Sequence, residues 1–372
     1  MKPAHILVVD DEPGMLRAVR RILSPHYQVT EATTPTEALA LLPGLQPDLA
    51  ILDVRMPEMD GFELTSRLKR AIPDLDVILM TGSLSELDAK MVRAIRENAF
   101  YFIQKPFDRE LLTTLVERCF ELRRLSQENR RHTLRLESEL AEARAFQENL
   151  LPPQEAQVEG LQVAVRYRPC SELGGDLVDY VVAGPGKVAL LVADVSGHGV
   201  SAAMLTGIVK TAFRSSRDDR FDPLRVVERL WGALGSFDDA RFVTLVAGVV
   251  DVAKGTLEYV NAGHPAPFLW RDGAPPTTLP STGPLISAAL PGLFWSRETV
   301  PFLPGTRVLL FTDGVTEACG EDGDFGFERI AGEIGGTPGG GVRLLDAVLE
   351  ALRRHGKGRP QEDDWTLLTA SL

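Results

Sequence analysis

Residues 309–318 read LLFTDGVTEA, and in this stretch an apolar run ends at Asp313. Residues 50–53 read AILD and have the same form, with Asp53 at the end of the run. A short apolar run bounded by turn signals is typical of a buried strand. Two such strands, each ending in a carboxylate, predict two sites at sheet edges within one chain.

The bulk properties limit the class of protein. At 372 residues the chain is too long for one ordinary core, so the length predicts two domains and a connector. A net charge of −12 argues against a nucleic-acid partner, because phosphate contacts need clustered Lys and Arg. The three cysteines lack metal-ligand spacing and favour a reducing compartment. With no apolar run long enough to span a bilayer and carboxylates inside the first apolar stretch, we expect a cytoplasmic protein without a signal peptide or a membrane partner.

The first third of the chain alternates short apolar strands with amphipathic helices. The first predicted helix ends near Leu23. Three more cover about residues 34–43, 62–71 and 88–98, and a last one begins at Asp108. This alternation predicts an α/β fold, a doubly wound five-stranded parallel sheet with helices on both faces. In such sheets, sites lie at the carboxyl ends of the strands.

A connector without proline or glycine runs from Asp108 to Leu151. Apolar residues repeat in it every seven positions, with Asn129 within the repeat. The repeat consists of Leu115, Leu122, Asn129, Leu136, Ala143 and Leu150, with Leu125, His132 and Phe146 interleaved. This predicts a coiled-coil helix and a parallel homodimer; a solvated spacer helix that packs on its own domains is the alternative. Pro152 and Pro153 end the helix.

From about residue 158 the chain is richer in short strands and in Gly and Pro turns. Consecutive strands with helices gathered in blocks predict mainly antiparallel sheets covered by helices, hence a layered α+β domain. The predicted helices are Val200 to Ser215, Pro223 to Leu234, Phe327 to Ile334 and Val342 to His355.

Five polar residues lie at or just beyond the ends of strands in the first third: Asp10, Asp11, Asp53, Thr81 and Lys105. Three carboxylates at one sheet edge repel each other unless a hard cation neutralises them, and oxygen ligands suit Mg²⁺. The threonine hydroxyl and the lysine can hold phosphoryl oxygens. The pattern therefore indicates a carboxylate that is phosphorylated rather than one that hydrolyses a substrate.

The motifs VVDDE, ILDVRMPEMDG, MTGS and IQKPF resemble a response-regulator receiver domain over residues 4–122. The resemblance implies that Asp53 is the phosphoacceptor. It also implies that Asp11, Asp53 and the backbone carbonyl of Arg55 bind Mg²⁺, with support from Asp10. A receiver used only for docking, without phosphate, is the alternative.

The same resemblance implies roles for three further residues. Thr81 and Lys105 would contact the phosphoryl group, and Phe102 falls where receivers have their switch aromatic. The Lys105–Pro106 bond is expected to be cis.

Four acidic clusters adjoin apolar strands in the C-terminal half, namely GGD at 174–176, DVSGHG at 194–199, TDG at 312–314 and DDWT at 363–366. Glycine beside three of them lets the backbone approach a metal or a phosphate closely. No Cys or His pair offers soft ligands, so Mg²⁺ or Mn²⁺ is predicted. Two ions shared by carboxylates would clamp a phosphate and activate a water for in-line attack, with no protein nucleophile.

The motifs GGDLVDY, VADVSGHGVSAAM, NAGHPAP, LLFTDGVTEA and DDWTLL resemble the bacterial sporulation and stress-response branch of the PPM serine/threonine phosphatases, the SpoIIE and RsbU type, over about residues 145–372. The resemblance implies an α-β-β-α sandwich and two Mn²⁺ or Mg²⁺ ions. The implied ligands and catalytic residues are Asp176, Asp194 and the carbonyl of Val195 at one ion, and Asp194, Asp313 and Asp363 at the other. Asp364 is the alternative to Asp363. His198 and His264 lie in the motifs without an assigned chemical role.

Together the motifs predict a receiver domain at 1–122, a helical linker at 108–151 that overlaps the last receiver helix, and a phosphatase domain at 152–372. We interpret the chain as a two-component output enzyme: a sensor histidine kinase phosphorylates Asp53, and the linker transmits the change, with His132 and Glu139 weakening its seam. The resemblance implies a phosphorylated anti-sigma-factor antagonist of the STAS type as the substrate. A non-catalytic adaptor and a phosphatase acting on a small second messenger are the alternatives.

Overall fold

The computed structural model describes residues 4–82, 101–197, 199–235, 241–271, 273–290, 294–337 and 341–372. The helix predicted at about 88–98 and His198 lie outside these ranges. The chain divides into two compact units, Met1–Leu134 and Arg135–Leu372. Within the described ranges, no helix combines the length and the apolar character needed to cross a membrane.

A five-stranded parallel sheet in the order β2-β1-β3-β4-β5 organises the first unit. Its strands are β1 (His5–Val9), β2 (Gln28–Ala32), β3 (Leu49–Asp53), β4 (Asp76–Thr81) and β5 (Tyr101–Gln104). The helices are α1 (Pro13–Leu23), α2 (Pro35–Leu41) and α3 (Gly61–Ala71), with a 3-10 turn at Leu42–Gly44. Alternate strand residues fill two separate cores, one around Leu7 and Leu52 and the other around Ile6 and Ile51. The predicted doubly wound sheet is confirmed.

The connector forms one helix, α4 (Arg109–Glu148). Leu115, near its start, packs in the core of the first unit around Ile6. Leu150 lies beyond its last residue and packs in a core of the second unit. Between these two positions the large apolar side chains of the predicted seam, Leu122, Leu125, Leu136 and Phe146, are exposed, and Ala143 is half-buried.

Two antiparallel sheets form the second unit. One has the order β15-β11-β10-β9-β8, with β14 paired to β10; its strands are β8 (Asp176–Gly184), β9 (Lys187–Val195), β10 (Phe242–Asp251), β11 (Thr256–Ala262), β14 (Ile286–Ser287) and β15 (Glu298–Pro301). The other has the order β13-β12-β16-β19-β7-β6, with β6 (Glu155–Val158), β7 (Leu161–Arg168), β12 (Phe268–Arg271), β13 (Thr277–Thr278), β16 (Thr306–Phe311) and β19 (Trp365–Ser371). A small hairpin pairs β17 (Cys319–Gly320) with β18 (Gly323–Asp324).

Helices cover both sheets of this unit. They are α5 (Val200–Ser215), α6 (Pro223–Leu234), the one-turn α7 (Asp313–Thr316), α8 (Gly326–Gly336) and α9 (Val342–Gly356). One core lies between α5, α6 and the first sheet, a second lies between the two sheets, and a third lies between the other sheet and α8 and α9. Three stacked cores need four layers, so the predicted α-β-β-α sandwich is confirmed.

Candidate functional sites

The first acidic centre lies at the carboxyl edge of the parallel sheet. Asp10 follows β1 and Asp53 ends β3, which is the neighbour of β1. Oxygen atoms of Asp10, Asp11 and Asp53 lie within 4.8 Å of one another. Lys105 Nζ reaches two of these residues, at 2.6 Å from Asp10 Oδ2 and 2.8 Å from Asp53 Oδ1.

The charges of this centre fit a divalent cation. Burial raises the pKa of Asp53, and Asp10 and Asp11 raise it further, while Lys105 opposes the shift. Three carboxylates against one ammonium leave a local charge of about −2, which a Mg²⁺ ion would neutralise with oxygen ligands. The predicted magnesium site is therefore consistent with the donor set, and the individual ligand roles stay predictions.

A close backbone contact holds the loop beside Asp53 in place. The Gly61 N–H donates to the carbonyl of Val54 at 3.1 Å. A Cβ at Gly61 would lie 2.3 Å from the Asp53 carbonyl oxygen, which no side chain can tolerate. The glycine that ends ILDVRMPEMDG is thus needed for the loop to fold back on its strand.

The remaining receiver residues are placed by β4 and β5. Thr81 ends β4, and its carbonyl accepts a hydrogen bond from the N–H of Lys105 at 2.7 Å. Phe102 packs toward Phe62, with ring centroids 6.3 Å apart. The expected cis Lys105–Pro106 bond is confirmed. The phosphoryl-binding, carbonyl-ligand and switch roles of Thr81, Arg55 and Phe102 stay predictions.

The second acidic centre lies where the two sheets of the sandwich end together. Asp176 begins β8 and lies directly opposite Asp194, near the end of β9. Asp176 Oδ2 accepts hydrogen bonds from Thr312 Oγ1 at 2.8 Å and from Thr366 Oγ1 at 2.5 Å. These two threonines flank the acidic motifs of the other sheet, so Asp176 links the sheets at the site.

Sequence reasoning did not assign roles to Thr312 and Thr366. The signal for them is position alone, because Thr312 directly precedes the predicted ligand Asp313 and Thr366 follows the predicted ligand Asp363 by three residues. Both side chains are buried, and each donates to a buried carboxylate. They fix the orientation of Asp176, as hydrogen-bond donors beside a carboxylate ligand commonly do.

The predicted ligands Asp194, Asp313 and Asp363 lie close enough for their charges to repel one another. Burial raises the pKa of Asp194 to about 7, with further increases from Asp313 and Asp363. Burial likewise raises the pKa of Asp313 to about 6, again with Asp363 contributing. For Asp176, burial and then Asp194 raise the pKa well above its ordinary value. A cluster of oxygen donors that resists ionisation in this way fits hard divalent cations.

The neighbours Asp363 and Asp364 have different environments. Asp364 is 4% exposed, and its carboxylate accepts backbone N–H bonds from Cys170 at 2.8 Å, Gly175 at 2.7 Å and Asp176 at 3.3 Å. Asp363 is exposed. Ligand atoms of Asp363, Asp364 and Cys170 lie within 4.8 Å of one another. The Asp364 carboxylate therefore holds the loop of Asp176, and the role of Asp363 as an ion ligand stays a prediction.

Gly314 brings the two acidic segments of the second sheet together. It follows Asp313 at the start of α7, and a Cβ there would lie 2.2 Å from the Asp364 carbonyl oxygen and 3.1 Å from Asp363 Cβ. The glycine in LLFTDGVTEA is therefore required by this close approach. This explains why a glycine follows Asp313.

His264 has a structural environment. It is buried, its Nδ1 lies 2.7 Å from Thr244 Oγ1, and its backbone N–H donates to Asn261 Oδ1 at 2.9 Å. Burial lowers its pKa to about 3, so the ring is neutral. Thr244 pairs with Asp194 across β10 and β9, which places His264 behind the acidic centre.

The two centres combine a receiver sheet with a phosphatase sandwich of the PPM type, and comparisons with known proteins agree with both. Residues 6–117 match the response regulator receiver domain, and residues 184–372 match the family described as Stage II sporulation protein E (SpoIIE). The second match spans just over half of the chain. The chain belongs to the SpoIIE family.

Individual relatives show how far the likeness extends. Protein IcfG of Synechocystis sp. is 27% identical over 259 residues, which cover 62% of this chain and 41% of the relative. Phosphoserine phosphatase RsbP of Bacillus subtilis is 32% identical over 197 residues, which cover 50% of this chain and 46% of the relative. The SiaA-PP2C domain of Pseudomonas aeruginosa superposes with a TM-score of 0.58 at 22% identity, covering 64% of this chain and 98% of that domain, and this supports the fold. The chain spans less than half the length of the two curated relatives.

Proposed function

We propose that this chain is a response regulator whose output is metal-dependent removal of phosphate from phosphoserine or phosphothreonine on a regulatory protein. The main observation behind this proposal is the acidic centre of the second unit, where burial and repulsion raise the pKa of Asp194 to about 7. So concentrated a set of carboxylates is destabilising unless cations neutralise it. Membership of the SpoIIE family and the likeness to RsbP, which is named as a phosphoserine phosphatase, support the reaction class.

Asp194 would bridge two ions, with Asp176 and the Val195 carbonyl on one side and Asp313 and Asp363 on the other. Mn²⁺ or Mg²⁺ bound there supplies water activation and neutralisation of phosphoryl charge. The chain's own contribution is orientation, because the hydroxyls of Thr312 and Thr366 fix Asp176. Asp364 fixes the loop that carries Asp176 through Gly175.

Phosphorylation of Asp53 by a sensor histidine kinase is the proposed input. Lys105 already holds Asp53 at 2.8 Å and would follow the phosphoryl oxygens once Asp53 is modified. Asp10, Asp11 and Asp53 would hold Mg²⁺, with the Arg55 carbonyl, and Thr81 would contact the phosphoryl group. Phe102 would change its packing against Phe62 when Asp53 is phosphorylated.

The proposed substrate is a phosphorylated anti-sigma-factor antagonist of the STAS type in the cytoplasm. The likeness to RsbP, a phosphoserine phosphatase, supports a phosphoserine-bearing protein. Dephosphorylation would free the antagonist to bind its anti-sigma partner and so alter transcription without contact between this chain and DNA.

A parallel homodimer through α4 is the proposed assembly. Leu122, Leu125 and Leu136 are 37%, 47% and 59% exposed, at or beside the seam positions of the heptad. A second copy of the helix would bury them against like residues. Replacing Asn129 with Leu is expected to strengthen the dimer and to blunt control by Asp53, which light scattering and activity assays would measure. An unchanged oligomeric state together with unchanged control would count against the seam.

The function is tested by hydrolysis of p-nitrophenyl phosphate and of a phosphoserine protein with Mn²⁺. Wild type, Asp313→Asn and Asp53→Asn are compared with and without beryllofluoride, which mimics phosphorylated aspartate. We expect Mn²⁺-dependent turnover that Asp313→Asn abolishes and that beryllofluoride alters unless Asp53 is replaced. Absence of turnover on both substrates would instead support the non-catalytic adaptor.

A further inference from the structure

Gln147 is an exception on an otherwise solvent-facing stretch of helix. It lies in the last turn of α4 and is 7% exposed, whereas the side chains of Arg144, Phe146 and Glu148 beside it are exposed. A buried amide needs hydrogen-bond partners, because an unsatisfied one loses its solvation without compensation.

Both partners of the Gln147 amide belong to one residue, Gly174. Gln147 Nε2 donates to the Gly174 carbonyl at 2.7 Å, and the Gly174 N–H donates to Gln147 Oε1 at 3.1 Å. The side chain thus pairs with a single buried peptide residue in the way that a neighbouring strand would. Gly174 begins the GGD motif and lies two residues before Asp176.

The segment after the helix is attached to the same region by a second contact. Lys210 Nζ, on α5, donates to the Leu150 carbonyl at 2.5 Å and lies 2.7 Å from Asp179 Oδ2. Asp179 is fully buried on β8, the strand that Asp176 begins, and is also paired with Arg214. We call Gln147, Leu150 and Lys210 the linker clasp.

We propose that Gln147 is a positioning residue, through which the last turn of α4 sets the place of Asp176 and so the affinity of the second unit for its divalent cations. The inference rests on the proposed function and adds to it a named contact for regulation. The loop of Asp176 is held from two sides, by Asp364 through the N–H of Gly175 and by Gln147 through Gly174. Of the two residues that hold this loop, only Gln147 belongs to the linker. A shift of α4 therefore changes the hydrogen bonds between Gln147 and Gly174 but not the bond between Asp364 and Gly175.

The test is Mn²⁺ binding by calorimetry on the full chain. All samples carry Asp11→Asn to remove the receiver's ion site. Gln147→Met keeps the side-chain volume and loses both hydrogen bonds, and Gln127→Met, at an exposed position of the same helix, is the matched control. We expect about tenfold weaker Mn²⁺ binding in Gln147→Met, the lower end of losses seen when outer contacts of metal ligands are removed. The control should bind as tightly as the unchanged protein.

Two further readouts separate positioning from a purely structural role. Turnover of p-nitrophenyl phosphate at saturating Mn²⁺ should stay within about twofold of wild type, because Gln147 touches no substrate. Lys210→Met, which releases the Leu150 carbonyl while Arg214 keeps Asp179 paired, should also weaken Mn²⁺ binding and provides the test if Gln147→Met does not fold. A lower melting temperature with unchanged Mn²⁺ affinity in the variants would overturn the proposal.

Failure of the clasp and failure of the proposed function give different results. Equal Mn²⁺ affinity in the Asp11→Asn parent protein and in its Gln147→Met and Gln127→Met variants overturns the clasp even if the enzyme is active. A wild type that binds Mn²⁺ without hydrolysing any phosphoester overturns the proposed function, and calorimetry then still decides whether Gln147 positions the loop.

Discussion

Replacing each of the adjacent residues Asp363 and Asp364 should separate a structural carboxylate from an ion-facing one. Asp364 accepts two short backbone N–H bonds, from Cys170 and Gly175, and a longer one from Asp176. A hydrogen bond to a charged group contributes about 1.5–3 kcal/mol, so losing the two short ones in Asp364→Ala should cost about 4 kcal/mol. Asp364→Asn should cost about half as much, because one amide oxygen can still accept.

Asp363→Ala should behave in the opposite way. The side chain accepts one backbone N–H bond, from Asp364 at 2.7 Å, but it is exposed and raises the pKa of both Asp194 and Asp313, so the loss of this bond is offset by relief of repulsion in the ion-free protein. We expect a change in the free energy of unfolding below about 1 kcal/mol without metal. With Mn²⁺ at a hundred times its dissociation constant, wild type should gain about 2.7 kcal/mol, and Asp363→Ala should gain much less.

Tryptophan fluorescence during urea unfolding of the full chain isolates this effect. All four tryptophans, Trp231, Trp270, Trp295 and Trp365, lie in the second unit, so the signal reports that unit alone. The reasoning is refuted if Asp364→Ala is within about 1 kcal/mol of wild type, or if Asp363→Ala in EDTA loses as much stability as Asp364→Ala.

The remaining predictions use the same unfolding measurement unless another is named. Gly314→Ala should lose at least about 2 kcal/mol, because its Cβ would lie 2.2 Å from the Asp364 carbonyl oxygen. Gly207→Ala, where a Cβ meets no described atom within 4 Å inside α5, should gain about 0.5–1 kcal/mol; equal effects at the two glycines would contradict the close approach. Burial lowers the pKa of His264 to about 3, so its contribution is complete above pH 6.5 and is lost as the pH falls toward 3. Relative to His264→Gln, wild type should therefore lose about 1.4 kcal/mol per pH unit in that window, and parallel pH curves would argue against a neutral buried ring. Lys105→Met should destabilise the first unit by about 3 kcal/mol without Mg²⁺ and much less with it, as followed by amide exchange; a loss that Mg²⁺ does not reduce would contradict a shared carboxylate centre.

The sequence predicted those elements whose side chains are buried on at least one face. Continuous apolar runs such as residues 49–52 and 188–193 form central strands, in which every one of these residues is buried. The strands it did not predict are short edge strands with polar exposed residues, among them β6 (EAQV), β13 (TT) and β15 (ETVP). Their pairing depends on neighbours distant in the chain, which local pattern does not encode.

The site was predictable in residue type but not in orientation. The positions of Asp176, Asp194 and Asp313 at strand ends identified them as candidates, because binding of hard divalent cations needs several carboxylates at one edge of a sheet. The orientation of the Asp364 carboxylate depends on backbone N–H groups in residues 170–176, nearly two hundred residues away in the chain. The sequence therefore could not distinguish Asp364 from Asp363. The same holds for Gln147, since nothing in a helical heptad distinguishes an amide that pairs with Gly174 from one that faces solvent.

The two ends of α4 and its middle have different sources of stability, and this bears on both the dimer and the clasp. Leu115 and Gln147 are held by packing or hydrogen bonds within their own units. Between them the helix presents exposed leucines and ion pairs such as Arg135–Glu139, and exposed pairs stabilise a helix little. Helical stability in proteins comes mainly from packing of an apolar face, which a second copy would supply at these leucines. A helix stiffened in this way can carry a displacement from Leu115 to Gln147, whereas an unsupported middle would absorb it. Regulation through Gln147 should therefore depend on protein concentration in the range where the dimer forms, and concentration-independent control would separate the clasp from the coiled coil.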